Sequence, residues 1–321
     1  MNSSVLVAIV QARPVYLDLA ASLAKAITLT EEAAREGAKL VAFGETWLTG
    51  YPTWLDNCPD IALWDHPPTK ELFARLRAES PIVSGPEMAR LAELAGDLGI
   101  TLVMGLNERV DRGPGNGTLY NSLVTFGPSG QLINHHRKLV PTYTERLVWG
   151  PGDGVGLRAV ETPSGRVGGL VCWEHWMPAA RQVLHTDGEQ IHVAVWPTVH
   201  EMHQVASRHY AFEGRCFVLA AGLLMAAEDL PPELRLSEEA RNRNGLLVRG
   251  GSAIIGPDGR YLVEPVYDEE RILLADLDLS AADREKMTLD VTGHYNRPDV
   301  FELRVSPGKR GAGVVRVENA W

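Results

Sequence analysis

The sequence predicts an α/β fold built around mixed β-sheet. Two observations carry that reading. Along the chain, apolar periodicity switches repeatedly between the two-residue period of strands and the 3.6-residue period of helices. In addition, three turns, Gly127-Pro128-Ser129-Gly130, Pro163-Ser164-Gly165 and Gly256-Pro257-Asp258-Gly259, each separate two apolar-alternating segments. Proline presets φ at the first turn position and the following glycine accepts a positive φ, so each reads as a hairpin. Hairpins set among βα units bring antiparallel pairs beside parallel ones.

Taken in order, residues 5–11 read as a buried strand and residues 17–37 as a long amphipathic helix ended by Gly37. A second strand, residues 39–43, runs directly into Gly44-Glu45. A loop rich in Pro and Trp follows to about Pro68. Residues 86–99 are helical up to Gly99, and residues 100–106 form the next strand. Leu132–Arg137 is strand-like and ends at Lys138. An apolar strand over 167–171 ends at Cys172, and Pro178 suits the first turn of the helix beyond. Residues 216–221 look like a core strand, and 228–245, charged and containing Pro231-Pro232, like an excursion. No break in composition divides the chain, so residues 1–303 are expected to form a single domain. Residues 304–321, with Pro307-Gly308, Gly311 and Gly313, are expected to be an extended C-terminal arm at an oligomer interface.

Composition excludes several classes. With 45% hydrophobic and 22% charged residues in 321, the chain can bury a sizeable interior and need not be disordered. A net charge of -10 without a basic stripe argues against nucleic-acid binding. The start, MNSSVLVAIVQARP, lacks a basic leader and a cleavage site, and no apolar run is long enough to span a bilayer. Three cysteines, an odd number, fit a reducing compartment, so a cytoplasmic enzyme is expected.

Cys172 lies between a strand's end and a helix's start, where α/β enzymes gather their chemistry. Most cysteines are small buried hydrophobes, and Cys58 and Cys216 are read that way. Cys172 stands apart through its company: Glu45 and Lys138 also follow strand ends. If those strands are neighbours in one sheet, a thiol, a carboxylate and an ammonium meet as nucleophile, base and electrophile. The helix start and a cationic neighbour would lower the thiol pKa toward the reactive thiolate.

These residues and their flanks resemble the nitrilase superfamily, whose members use a Glu–Lys–Cys triad in this chain order. The matching blocks are Gly44-Glu45 with Gly50-Tyr51-Pro52; His136-Arg137-Lys138-Leu139 with Pro141-Thr142 and Glu145-Arg146; Cys172-Trp173-Glu174-His175; and the stretch from Asp290 through Gly293-His294-Tyr295 to Arg297-Pro298-Asp299. The last block, and Trp173 directly after the cysteine, are similar to the nitrilase branch rather than to its amidase relatives. The resemblance implies a four-layer αββα sandwich that dimerises to αββααββα and can assemble into spiral homo-oligomers. It implies no metal and no organic cofactor, and a small nitrile as the partner molecule. By it, Glu45 is general base, Cys172 nucleophile and Lys138 the group that stabilises charge on nitrogen. Glu145, seven positions beyond Lys138, matches the family's second glutamate and would hold that lysine or the substrate; a salt bridge with Arg146 or a neighbour is the bland alternative. Tyr51, Trp149, Trp173 and Pro197 fall at pocket positions and favour a hydrophobic aryl, arylaliphatic or aliphatic nitrile. An amidase or carbamoyl hydrolase, or a cyanide hydratase with the same triad, remains the alternative.

His200-Glu201-Met202-His203 invites a metal reading, but its histidines are three apart and nothing supplies a third ligand. His135, His136, His175 and His294 read as hydrogen-bonded structural histidines, with His175 near enough to the nucleophile to shape the pocket mouth.

Overall fold

The computed structural model describes residues 4–241, 245–306 and 308. Strand β1 (Ser4–Gln11) leads to helix α1 (Leu19–Arg35), capped by Asp18, whose side chain accepts the Ala21 N–H at 2.9 Å. Then come β2 (Leu40–Phe43) and three helices, α2 (Trp54–Asn57), α3 (Pro67–Ala78) and α4 (Pro86–Leu98). Gly99 closes α4 in the left-handed conformation, as its sequence position predicts. Strands β3 (Thr101–Arg109), β4 (Leu119–Phe126) and β5 (Leu132–Arg137) follow. The second half runs β6 (Val160–Thr162), β7 (Gly165–Val171), α5 (Pro178–Thr186), β8 (Ile191–Val195), α6 (Glu201–Gly214) and β9 (Phe217–Ala221). It continues with β10 (Leu224–Ala226), α7 (Glu238–Arg241), β11 (Leu246–Ile255), β12 (Tyr261–Tyr267), β13 (Arg271–Asp278) and α8 (Ser280–Lys286).

The strands form two mixed sheets, ordered β13-β1-β2-β3-β4-β5 and β10-β11-β9-β8-β7-β6, with β12 paired to β11. All three turns read from the sequence close antiparallel hairpins: β4–β5, β6–β7 and β11–β12. Within β1, Val7 and Ile9 face the second sheet's Val193, Leu219 and Ile254, whereas Ala8 and Val10 face the cluster containing Ala26 of α1 and Leu91 of α4. The alternation of a strand thus sends successive side chains to two cores. Leu184 of α5 and Tyr210 of α6 cover the second sheet. The result is the αββα sandwich.

One expectation needs correction. The strands carrying Glu45, Lys138 and Cys172 are not neighbours in one sheet. β3 and β4 separate β2 from β5, and β7 belongs to the second sheet. Two antiparallel steps, β3–β4 and β4–β5, return β5 to the direction of β2, so both end at the same edge of the first sheet. The Pro- and Trp-rich loop also differs: it contains α2 and, from Pro67, the start of α3, which buries Leu72 and Leu76. Prolines at the first two helical positions need no N–H partner there.

The charged excursion includes α7, with residues 242–244 outside the described residues. Of the C-terminal extension, 304–306 and 308 are described and exposed, and the rest of the predicted arm lies outside the described residues. Among the described residues no helix is long and apolar enough to cross a membrane.

Candidate active site

Glu45 leaves β2 in a tight turn that sinks against β3. A Cβ on Gly105 would lie 2.2 Å from the Gly44 carbonyl oxygen and 2.7 Å from the Thr46 nitrogen, so only glycine lets the turn approach this closely. Lys138 is set just past β5, its N–H donating to the Asn121 carbonyl at 2.8 Å and its own carbonyl accepting from Gly152 N–H at 2.8 Å. Cys172 opens a 3₁₀ turn, Cys172–Trp176, directly after β7 with φ +54°, a left-handed conformation rare for residues other than glycine. Thr46 and Tyr143 beside the site also have positive φ. Such strain persists where the surroundings over-determine the backbone.

The four side chains meet. One oxygen each of Glu45 and Glu145 and the Cys172 sulfur all lie within 4.8 Å of one another. The Lys138 ammonium donates to Glu145 Oε2 at 2.7 Å and to Glu45 Oε1 at 3.2 Å. It supplies the positive charge that a trio of metal-binding residue types would otherwise draw from a cation. Glu145 is fixed further by the Thr142 N–H at 2.7 Å and by the Tyr51 hydroxyl, which donates to Oε1 at 2.9 Å. Arg146 turns away to donate to the Pro141 carbonyl, and the ion pair of Glu145 is with Lys138.

Burial pushes the Glu45 carboxyl up, the Glu145 charge adds to this and Lys138 opposes it, leaving a pKa of about 7. Glu45 Oε1 also accepts from Asn121 Nδ2 at 2.6 Å, whereas Oε2 is buried without a hydrogen-bond partner. Burial lowers the Lys138 pKa, but Cys172, Glu45 and Glu145 outweigh it and the ammonium persists. The thiol departs from expectation. Burial and the Glu45 charge raise Cys172 well above the ordinary thiol value, and Lys138 and the Trp173 N–H offset only part of this. The cationic neighbour is present, but two carboxylates accompany it. The resting nucleophile is therefore a thiol beside a base, rather than a free thiolate.

The cluster opens into a cavity of about 380 Å³ lined by Cys172, Tyr51, Trp173, Pro197, Asp56 and His203 among others. Trp149 does not line it. That residue packs edge-on behind Tyr51 at 5.7 Å and donates its indole N–H to Asn107 Oδ1 at 2.9 Å. His203 is held by the Thr198 carbonyl at 2.8 Å and stacks on Trp196, and burial lowers its pKa to about 4. His135 pairs with Glu108 and His136 with Glu174. His294 is exposed, edge-on to Tyr295. His175 is buried behind the nucleophile and does not shape the mouth: its Nδ1 donates to the Cys172 carbonyl at 2.6 Å. Cys58 and Cys216 are buried and unpaired, away from the cluster.

Sequence reasoning assigned no role to two residues that organise the site. Asn121 of β4 fixes one oxygen of Glu45. Glu174 accepts the Val171 N–H of the second sheet at 2.7 Å and, across the sandwich, the Leu139 N–H at 2.7 Å. A carboxylate two positions beyond the cysteine is a visible signal, but the partner 35 residues away is not.

A helix-covered double sheet with a thiol, two carboxylates and an ammonium at one edge defines a class of thiol hydrolases, and comparison with known proteins agrees. The pattern of the Carbon-nitrogen hydrolase family matches residues 6–286. The chain is 40% identical to Nitrilase 2 from an unknown prokaryotic organism, over 96% of this chain and 94% of that protein. It is 39% identical to an aliphatic nitrilase of Sinorhizobium fredii, over 96% and 98%. The solved structure of Saccharomyces cerevisiae Nit3, a member of branch 10 of the nitrilase superfamily, matches the fold at TM-score 0.70 and 21% identity, covering 92% of this chain and 97% of that one. The chain belongs to the carbon–nitrogen hydrolase family and, within it, to the nitrilases.

Proposed function

We propose that the protein hydrolyses an organic nitrile to its carboxylic acid and ammonia through a covalent intermediate on Cys172. The observation that carries this reading is the buried cluster of Cys172, Glu45, Lys138 and Glu145 at the floor of one cavity. A nitrile is uncharged and a poor electrophile, so it needs a nucleophile and polarisation at nitrogen. Glu45, with a pKa of about 7, takes the thiol proton as sulfur bonds to the nitrile carbon. The electron pair moves to nitrogen, where the Lys138 ammonium stabilises the charge; the proton that Glu45 took from the thiol passes to this nitrogen, which leaves a neutral thioimidate and restores the Glu45 carboxylate. One preorganised donor such as this ammonium contributes about 3–4 kcal/mol in a transition state. Water deprotonated by Glu45 adds to the thioimidate, both of its hydrogens pass to nitrogen, ammonia departs and a thioester remains. A second water releases the acid and restores the thiol. Glu145 holds Lys138 in place, and Tyr51 holds Glu145.

Tyr51, Trp173, Pro197, Leu247 and Val248 give the cavity apolar walls, which supports a hydrophobic aryl, arylaliphatic or aliphatic nitrile. We read residues 1–303 as one hydrolase domain. Exposed Met202, Val205 and Phe212 on α6 support assembly with a second copy.

The test is a panel of nitriles, their matching amides and cyanide, with released ammonia and formamide measured for wild type and Cys172→Ala. Wild type releases ammonia from nitriles. Cys172→Ala loses at least about 10³-fold in rate while its thermal unfolding stays unchanged. Turnover of the amide alone would make the protein an amidase, and formamide from cyanide a hydratase. Either outcome overturns the proposal.

A further inference from the structure

Behind the nucleophile lies a second buried network that the reaction above does not use. His175 Nε2 and His192 Nε2 face each other at 3.0 Å, and both rings are buried. The outer nitrogen of each ring is already committed. His175 Nδ1 meets the Cys172 carbonyl at 2.6 Å, and a carbonyl only accepts, so this nitrogen carries a proton. His192 Nδ1 meets Glu189 Oε2 at 2.8 Å, and an ionised carboxylate likewise only accepts. With both Nδ1 atoms protonated, two neutral rings would point lone pairs at each other across 3.0 Å. One further proton between the Nε2 atoms removes that conflict.

We propose that His175 and His192 share a single proton, so that the pair is a buried cation and positions the turn that presents Cys172. The surroundings fit this charge. Glu189 is fully buried and accepts from His192, from the Tyr210 hydroxyl and from His185 Nδ1 at 3.2 Å. Burial would raise its pKa, but His192 and these donors hold it at about 2, so it is an anion. Burial, and then the neighbouring His192, hold the pKa of His175 well below the ordinary imidazole value. Tyr210 stacks on His192 at 3.8 Å and Trp196 on His175 at 4.6 Å, closing the pair off above and below. From α5, Arg181 donates to the His175 carbonyl at 2.9 Å and to Glu213 at 2.6 Å, and Glu213 accepts from His185 at 3.4 Å. His203 of α6 also faces His175 and opposes its charging. The chain of contacts therefore runs from the nucleophile's own carbonyl to Glu213, which is partly exposed.

The inference rests on Cys172 being the nucleophile, and it adds a sign to the pH dependence. Loss of the shared proton at high pH sets the two lone pairs against each other and releases the Cys172 turn, so kcat falls on the alkaline side. Magic-angle-spinning NMR on the full chain with ¹⁵N-labelled histidine reads the proton without any turnover. At neutral pH both Nδ1 atoms are protonated, and a scalar coupling connects the two Nε2 atoms; the assignment follows from signals lost in His192→Gln. An unprotonated Nδ1 on either ring, or no coupling, overturns the proposal whatever the enzyme hydrolyses. In kinetics, His192→Leu lowers kcat by about 10–100-fold with KM unchanged. His192→Gln, whose amide N–H donates to His175 and does not titrate, restores most of kcat and flattens the alkaline limb. An unchanged kcat and pH profile in His192→Leu overturns the positioning role.

Discussion

Glu45 in the cavity cluster and Glu189 in the histidine network are both fully buried, yet they titrate in opposite directions, to about 7 and about 2. The difference is in the donors. Glu189 accepts from three side chains, His185, His192 and Tyr210, which occupy both of its oxygens. Glu45 receives Asn121 and Lys138 on one oxygen, keeps the other free, and shares its lysine with a second carboxylate. Burial alone thus does not decide the protonation state of a carboxylate. The neighbouring charges, together with the hydrogen bonds to the ionised form, do. A saturated carboxylate is a structural anion, and an undersaturated one is a base.

The contrast can be broken from either side. The largest effect is expected from Glu45→Gln, which keeps the shape and removes the base. Nitrile turnover falls by about 10²–10⁴-fold with little loss of stability, whereas wild-type kcat rises with pH through about 7 as Glu45 ionises. A retained rate would end its role as base. Glu189→Gln does the reverse: it leaves His185 and His192 without their anion and costs about 3–5 kcal/mol of folding stability, read as a lower midpoint in urea unfolding. A smaller effect follows from His185. Burial lowers its pKa, but Glu189 and Glu213 raise it to about 8 in the folded state. Its contribution is therefore complete below its ordinary value of 6.5 and is lost as pH rises through 8. Unfolding free energy should drop by about 2 kcal/mol across that window, and His185→Gln should abolish the drop. The smallest change is Trp149→Phe. It removes the bond to Asn107 at the cost of about 1 kcal/mol and shifts KM only through Tyr51.

Most of the fold was legible in the sequence. Apolar runs mark β1, β2 and β7, a strand-like segment marks β5, proline and glycine mark the three hairpins, and Gly99 marks the end of α4. Glu45, Lys138 and Cys172 were visible as ionisable groups just past strand ends. Their meeting was not, because it depends on packing one sheet against another, and spacing carries no record of that packing. Helix α3 escaped because only Leu72 and Leu76 are buried along it, too thin a stripe to stand out. The thiol's protonation was misread because burial, which spacing does not show, raises it most, ahead of the Glu45 charge. His175 was misplaced because the residue it turns toward, His192, lies 17 positions on, in β8.

Glu174 ties the main chain of both sheets through one carboxylate, at Val171 and at Leu139. These residues immediately precede Cys172 and follow Lys138. When the two halves of the sandwich slide or breathe, the sulfur and the ammonium are consequently carried along together. The gap that an attacking atom must cross is set locally, by a crossbar, and is insulated from the looser motions of the domain around it.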